Sequence, residues 1–114
     1  MTNYSQGHEA EQKAAQYLQT EGFEIVALNW RTLVCEIDIV ARKNRTVHFV
    51  EVKYRKSTQQ GTGLDYITPK KLAQMQFAAE CWVQENNYKG DYELSAIELT
   101  GLDFRVINFL PNIF

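Results

Sequence analysis

Apolar residues recur at helical spacing early in this chain and then at every second position. The alternation returns to helical spacing once and ends in strand-like periodicity. Over residues 6–21, Ala10, Ala14, Tyr17, Leu18 and Glu21 fall on one helical face, and Gly22 marks the stop. Phe23 to Leu28 predicts a short strand, and Asn29-Trp30-Arg31 leads out of it. Val34 to Ala41 alternates Glu36, Asp38 and Val40 with Cys35, Ile37 and Ile39, the pattern of a second strand. Thr46 to Lys53, rich in β-branched residues, predicts a third. Lys43-Asn44 reads as the turn of an antiparallel hairpin between them.

Residues 55–66 read as a loop. Thr68-Pro69 then opens a second helix, with Thr as cap and Pro at the first helical position. Leu72, Met75, Ala79, Trp82, Val83 and Asn86 trace its inner face. Tyr92, Leu94 and Ala96, then Phe104, Val106 and Asn108, predict two further strands around a turn at Thr100-Gly101. The order α-β-β-β-α-β-β predicts an α/β or α+β sheet with helices packed against it.

Four charges interrupt these strands. Residues two apart on a strand share a face, so Glu36 goes with Asp38 and Glu51 with Lys53. With a Lys43-Asn44 turn, Glu36 opposes Glu51, Asp38 opposes Phe49, and all four charges share one face. Ile37, Ile39, Val50 and Val52 then fill the other face, whereas a three-residue loop would separate Asp38 from Glu51. Facing carboxylates repel by a few tenths to about 1 kcal/mol. A divalent cation removes that repulsion, and oxygen-only donors suit Mg2+ or Mn2+. Such an ion polarises a phosphate oxygen and acidifies a bound water. A lysine two residues away can orient that water or neutralise developing charge. The same four residues also fit a solvent-facing acidic edge without metal, and the apolar strands around them weigh against that.

With 114 residues the chain has the length of one domain, residues 1–114. Hydrophobic residues at 45% and charged residues at 23% are ordinary globular values and exclude disorder. No apolar run reaches the roughly 20 residues of a membrane span, so no membrane partner is expected. Met1 to Gln6 lacks the basic and apolar regions of a signal peptide. Cys35 and Cys81 form no CxxC pair, which argues against zinc or a disulfide framework and fits a reducing cytoplasm.

The net charge of −2 argues weakly against a passive nucleic-acid coat. Residues 42–56, however, carry Arg42, Lys43, Arg45, Lys53, Arg55 and Lys56 against Glu51 alone. That patch suits phosphates and equally suits a solvated turn. Lys70 and Lys71 oppose the dipole of the second helix unless an anion docks there. Trp30, beside Arg31, is a candidate for stacking on a base. His8 and His48 lack ligand spacing and read as structural or surface residues.

The motifs together resemble a known family. Gly7 to Leu18, Gly22-Phe23, Asn29-Trp30-Arg31, Glu36 to Ala41, Phe49 to Arg55, then Lys71, Ala79 and Trp82 follow the order of the uncharacterised bacterial YraN family. That family resembles the archaeal Holliday-junction resolvases and the PD-(D/E)xK superfamily. The resemblance runs from Gly7 to the C-terminus and implies a restriction-endonuclease-like mixed sheet flanked by helices. It implies that Asp38 and Glu51 bind metal, that Lys53 is the catalytic lysine, and that Glu11 completes the site. Glu36 is an additional candidate. Three departures stand out: Cys35 and Ala10 where the family has glycine, and Glu93-Leu94-Ser95-Ala96 where it tends to Arg-Phe-Asp-Val.

The leading expectation is a metal-dependent endonuclease acting on structured or branched DNA, with Arg55, Lys56, Lys70 and Lys71 gathering the phosphates. A junction needs two symmetric cuts, so a homodimer is expected. One rival is a nucleic-acid-binding module that kept the fold without turnover. The other is a protein-interaction subunit whose acidic face binds a partner.

Overall fold

A computed structural model describes residues 3–57 and 63–113. The elements follow the predicted order: α1 (Asn3–Thr20), β1 (Glu24–Arg31), β2 (Glu36–Lys43), β3 (Thr46–Arg55), α2 (Pro69–Glu85), β4 (Asp91–Thr100) and β5 (Arg105–Leu110). The five strands form one sheet in chain order. β3 and β4 are parallel, and every other neighbouring pair is antiparallel. A parallel pair needs a crossover, and α2 supplies it. Of the predicted 55–66 loop, residues 58–62 lie outside the described residues.

The sheet is buried on both faces. Ala14, Ala15 and Leu18 of α1 pack on Ile39, Val50, Ile97 and Leu99. Met75, Ala78, Ala79 and Trp82 of α2 pack on Val40, Val47, Phe49 and Leu94. Alternate residues of β3 and β4 therefore serve opposite cores, which explains why β4 is buried without interruption from Leu94 to Thr100. Fully burying each large aliphatic side chain contributes about 1.5–3 kcal/mol. The polar residues of this core are partnered. His48 Nδ1 lies 2.9 Å from Ser95 Oγ, whose hydroxyl donates to the Pro111 carbonyl. The departure at Ser95 thus has an internal role between β3 and the C-terminal segment.

The β2–β3 turn differs from the expected one. Lys43 pairs with Thr46, so the loop is Asn44-Arg45, and opposed positions run Arg42–Val47, Ala41–His48, Val40–Phe49 and Ile39–Val50. Both loop residues have positive φ, 52° and 67°, the backbone of a two-residue hairpin turn. Arginine gives little hint of such a conformation, which is why Lys43-Asn44 looked the better turn. The register moves by two positions, so facial parity is unchanged. Phe49 pairs with Val40, so Asp38 does not oppose it, and the ladder ends at Ile39–Val50 before Glu36 or Asp38 can oppose Glu51.

Strict alternation fails at the other end of β2. Ile37 packs with Val40 against α2, whereas Ile39 packs against α1, so Ile37 and Ile39 do not share a face as expected. On β1, Ala27 and Trp30 show the same three-residue step, and Asn29 between them has φ of +52°. The two strands bend together at Asn29 and Asp38.

Arg45 occupies a left-handed conformation that costs an L-residue roughly 1 kcal/mol and glycine little. Arg45→Gly should therefore raise the melting temperature by a few degrees, and thermal denaturation at matched pH measures it.

Candidate functional site

The site lies where β2 leaves β3. The regular ladder ends at Ile39–Val50. Continued register would pair Ile37 with Val52. Instead the Val52 amide donates to Asp38 Oδ2 at 2.8 Å, so a carboxylate takes the place of a strand carbonyl. That bond fixes Asp38 between the two strands, beside Glu51.

Four carboxylates act on one another here. Burial, then the charge of Glu51, push the Asp38 carboxyl up to about 7, with Glu11 and Glu36 adding smaller effects and the Val52 amide opposing them. Burial also raises Glu11, with Glu36 and Glu51 contributing. Glu11 of α1 is near enough to Glu36 and Glu51 for their charges to add to its own shift. An open cavity of about 490 Å³ runs along the group. Glu36, Asp38, Glu51, Lys70 and Lys71 give it a charged wall, and Val34, Met75 and Phe77 an apolar one.

The expected cations divide into two kinds. Lys71 Nζ pairs with Glu51 Oε2 at 3.0 Å, so the carboxylate is the anion that offsets this lysine at the α2 N-terminus. The Thr68 side chain caps the same turn, accepting from the Lys71 amide. Lys70 is exposed on the cavity wall, and Lys56 is exposed where β3 ends. Arg55 is engaged within the fold. Its Nε donates to Glu98 Oε2 at 2.5 Å, and its Nη2 lies 2.9 Å from Asp65 Oδ1. Trp30 is half-buried against the α2-side core, and Arg31 pairs loosely with Glu36 at 3.8 Å.

Sequence reading missed two residues. Glu98 is fully buried and accepts from Arg55, from the Gly63 amide at 3.0 Å and from Asn108 Nδ2 at 2.7 Å. It ties β3, β5 and the loop before α2 together. The available signal was parity, because Glu98 shares a face with Leu94 and Ala96 in a continuously apolar strand. Tyr66 had no such signal. Its ring lies 5.7 Å from Lys53 Nζ and 5.7 Å from the Arg55 guanidinium. Its hydroxyl is buried without a hydrogen-bond partner among the described residues. Burial and the charges of Glu51, Glu98 and Asp38 push that phenol well above its usual range.

Among the described residues, no three His, Cys, Asp or Glu side chains form a ready cage for a metal ion. Mg2+ seldom needs one, since it commonly binds one or two carboxylates and keeps several waters. The donor chemistry fits such an ion: hard oxygens only, with an Asp38 carboxylate whose charge is disfavoured until a cation arrives.

The Asp38 shift carries a stability consequence. A carboxyl with a higher pKa folded than unfolded keeps a proton that the unfolded chain has lost. Stability is therefore intact below the ordinary pKa of 3.8 and falls as pH rises toward about 7. The ceiling of that loss is about 4 kcal/mol. Without divalent ions, Asp38→Asn should melt higher than the parent at pH 8 and nearly level with it at pH 4. Melting curves across that range measure the difference.

A model of the uncharacterised protein family UPF0102 matches residues 10–107. A UPF0102 protein of Cytophaga hutchinsonii is 34% identical over 106 residues, covering 93% of this chain and 94% of the relative. One from Neisseria meningitidis is 38% identical over 84 residues, 74% and 73% of the two chains. One from Vibrio cholerae is 35% identical over 97 residues, 82% and 80%. The matched span runs from the buried face of α1 through β5 and takes in every acid of the cavity, and the chain belongs to the UPF0102 family, the YraN-like family that its motifs resemble.

Proposed function

We propose that the cavity hydrolyses phosphodiester bonds in structured or branched DNA, using Mg2+ or Mn2+ held by Asp38 and Glu51. The observation that carries this reading is the placing of Asp38 and Glu51 on one cavity wall just beyond the end of the β2–β3 ladder, with burial and the charge of Glu51 pushing Asp38 up to about 7. Two carboxylates forced together in a half-buried cleft are poorly arranged for stability and well arranged for a cation. The ion supplies a polarised phosphate oxygen and an acidified water.

The chain's own groups do the rest. Asp38, fixed by the Val52 amide, and Glu51, fixed by Lys71, orient their oxygens into the cavity wall. Lys53, next to the Tyr66 ring, stabilises negative charge on the phosphate and directs the attacking water. The unpaired Tyr66 hydroxyl is a donor for a phosphate or water entering beside the acids. Glu11 and Glu36 adjust the charge of the group from its edge. Lys56 and Lys70 draw in the phosphate backbone that bare carboxylates would repel. Arg55 supports that surface through Glu98 and Asp65. Two symmetric cuts in a junction call for a homodimer, and a DNA substrate calls for the cytoplasm.

One observation favours a second reading, nucleic-acid binding without turnover: Lys71 already neutralises Glu51. A screen of single-stranded, duplex, flap and four-way DNA with Mg2+ or Mn2+ separates the two. The nuclease reading expects metal-dependent cleavage of a branched form, lost in Asp38→Asn and Glu51→Gln. It expects Lys53→Ala to lower turnover at saturating DNA by about 100-fold or more. Lys56→Ala with Lys70→Ala should instead weaken binding and reduce its salt slope by up to roughly one unit per lost contact. Branched-DNA binding with no cleavage under either metal sinks the nuclease reading and leaves the second.

Independently of turnover, Mg2+ or Mn2+ at millimolar levels should raise the parent's melting temperature and leave Asp38→Asn and Glu51→Gln unmoved. An equal rise in all three would mean that the acids do not hold the ion.

A further inference from the structure

We propose that Phe77 and Val34, on the apolar wall of the acidic cavity, hold an unpaired nucleobase beside the phosphate at the acids, so that the site selects flaps and junctions over continuous duplex. The inference rests on the reading of this cavity as a phosphodiester site and names what marks its substrate.

Two elements build the apolar wall. On α2, Lys70, Gln74 and Phe77 fall at positions i, i+4 and i+7, one stripe of the helix, and all three line the cavity. The lysine and the ring are roughly two turns, or about 10 Å, apart along the axis. Phe77 keeps 49% of its surface exposed, while Met75, Ala78 and Ala79 beside it on the helix are buried. The turn between β1 and β2 adds Leu33, fully exposed, and Val34, 72% exposed. Turns ordinarily carry glycine, proline, asparagine, aspartate or serine. Here the Thr32 amide donates to the Cys35 carbonyl at 2.9 Å, and the Val34 amide donates to Thr32 Oγ1 at 3.2 Å. The bend is therefore closed, and it holds two aliphatic side chains out to water. Val34 lines the same cavity as Phe77. Large apolar side chains grouped in water mark a binding surface.

The two walls call for one kind of ligand. Glu36, Asp38 and Glu51 with a bound ion, and Lys70 near them, suit a phosphate, whereas Phe77 and Val34 suit a flat apolar body. A nucleotide carries both. A second copy of this chain, of net charge −2, would bring no excess of cations to the acids. Every base has a π-face, so an aromatic ring takes any base and reads no sequence. A paired base must first leave its stack and its partner, and a base at a flap or junction has already done so. The wall thus favours a phosphate next to an unpaired position.

The test uses the full chain with Mg2+ and a DNA flap carrying 2-aminopurine at its first unpaired position, with the same strand in continuous duplex for comparison. Fluorescence quenching reports stacking, and a gel of the same samples reports cleavage. The parent should bind the flap more tightly than the duplex and quench the probe. Phe77→Ser should bring flap binding down toward that of duplex, a loss of about 5-fold or more, and remove the quenching. Phe77→Trp should keep both. Phe77 is half-exposed, so these variants should melt close to the parent. If Phe77→Ser melts markedly lower, Phe77→Leu, which keeps the apolar volume and lacks the ring, decides in its place. Ring-dependent quenching without product supports this inference and sinks the nuclease reading alone. Product without quenching, or quenching that survives loss of the ring, overturns this inference and leaves the nuclease reading standing. Flap and duplex bound alike, or no DNA bound at all, overturns it. So does a dimer in sedimentation that Phe77→Ser dissociates while flap binding stays as in the parent.

Discussion

The parallel ladder between β3 and β4 is the constraint on which the rest depends. It runs from Thr46–Asp91 to Arg55–Thr100 without a break. A parallel pair cannot be joined by a tight turn, so the chain must cross the sheet, and α2 is that crossover. With α1 on the other face, both central strands lose contact with water. Any charge they carry must then find a partner within the fold. Glu98 solves this fully, with Arg55, Gly63 and Asn108 around it. Glu51 solves it by a lysine from the crossover helix itself. Asp38, on neighbouring β2, is held only by one amide, and burial with the charge of Glu51 pushes its carboxyl up.

That gradation separates structure from candidate chemistry. The Arg55–Glu98 pair lies among the same strands as the acids and carries the same charges, yet every donor and acceptor around Glu98 is matched. Removing Arg55 would leave the fully buried Glu98 charge without its cation, a loss of roughly 3–5 kcal/mol, whereas Arg55 without Glu98 keeps Asp65. Asp38 and Glu51 are the reverse case, because burial and the charge of Glu51 both disfavour the Asp38 carboxylate. Tyr66 belongs to the same incomplete region. Its hydroxyl is buried without a hydrogen-bond partner among the described residues, with Lys53 and Arg55 beside its ring.

The element order was legible in the sequence because it depends on period. Helical and alternating patterns are insensitive to a few residues at the ends. The common face of Asp38, Glu51 and Lys53 depended on parity alone. A turn at Asn44-Arg45 in place of Lys43-Asn44 changes the register by two and leaves parity intact. What parity could not convey is the bend at Asn29 and Asp38. There a positive φ on one strand and a side-chain hydrogen bond on the other shift Ile37 to the face opposite Ile39. Neither event has a signature in residue type, since asparagine and aspartate on strands are usually just polar positions.

Long-range pairings were hidden for a different reason. Lys71 with Glu51 and Glu98 with Arg55 each join a residue of β3 to one placed by the crossover or by β4. Their meeting is set by how far α2 travels across the sheet and at what angle, and no local spacing records that. The basic residues illustrate the consequence. As composition, Arg55, Lys56, Lys70 and Lys71 formed one class of phosphate-seeking charge. In the fold, Arg55 and Lys71 each hold a carboxylate in place, while Lys56 and Lys70 remain at the surface. The held cations fix where the acids stand, and the surface cations decide what can approach them. On a chain of net charge −2, exposed cations such as Lys56 and Lys70 offset the negative potential around the acidic cavity.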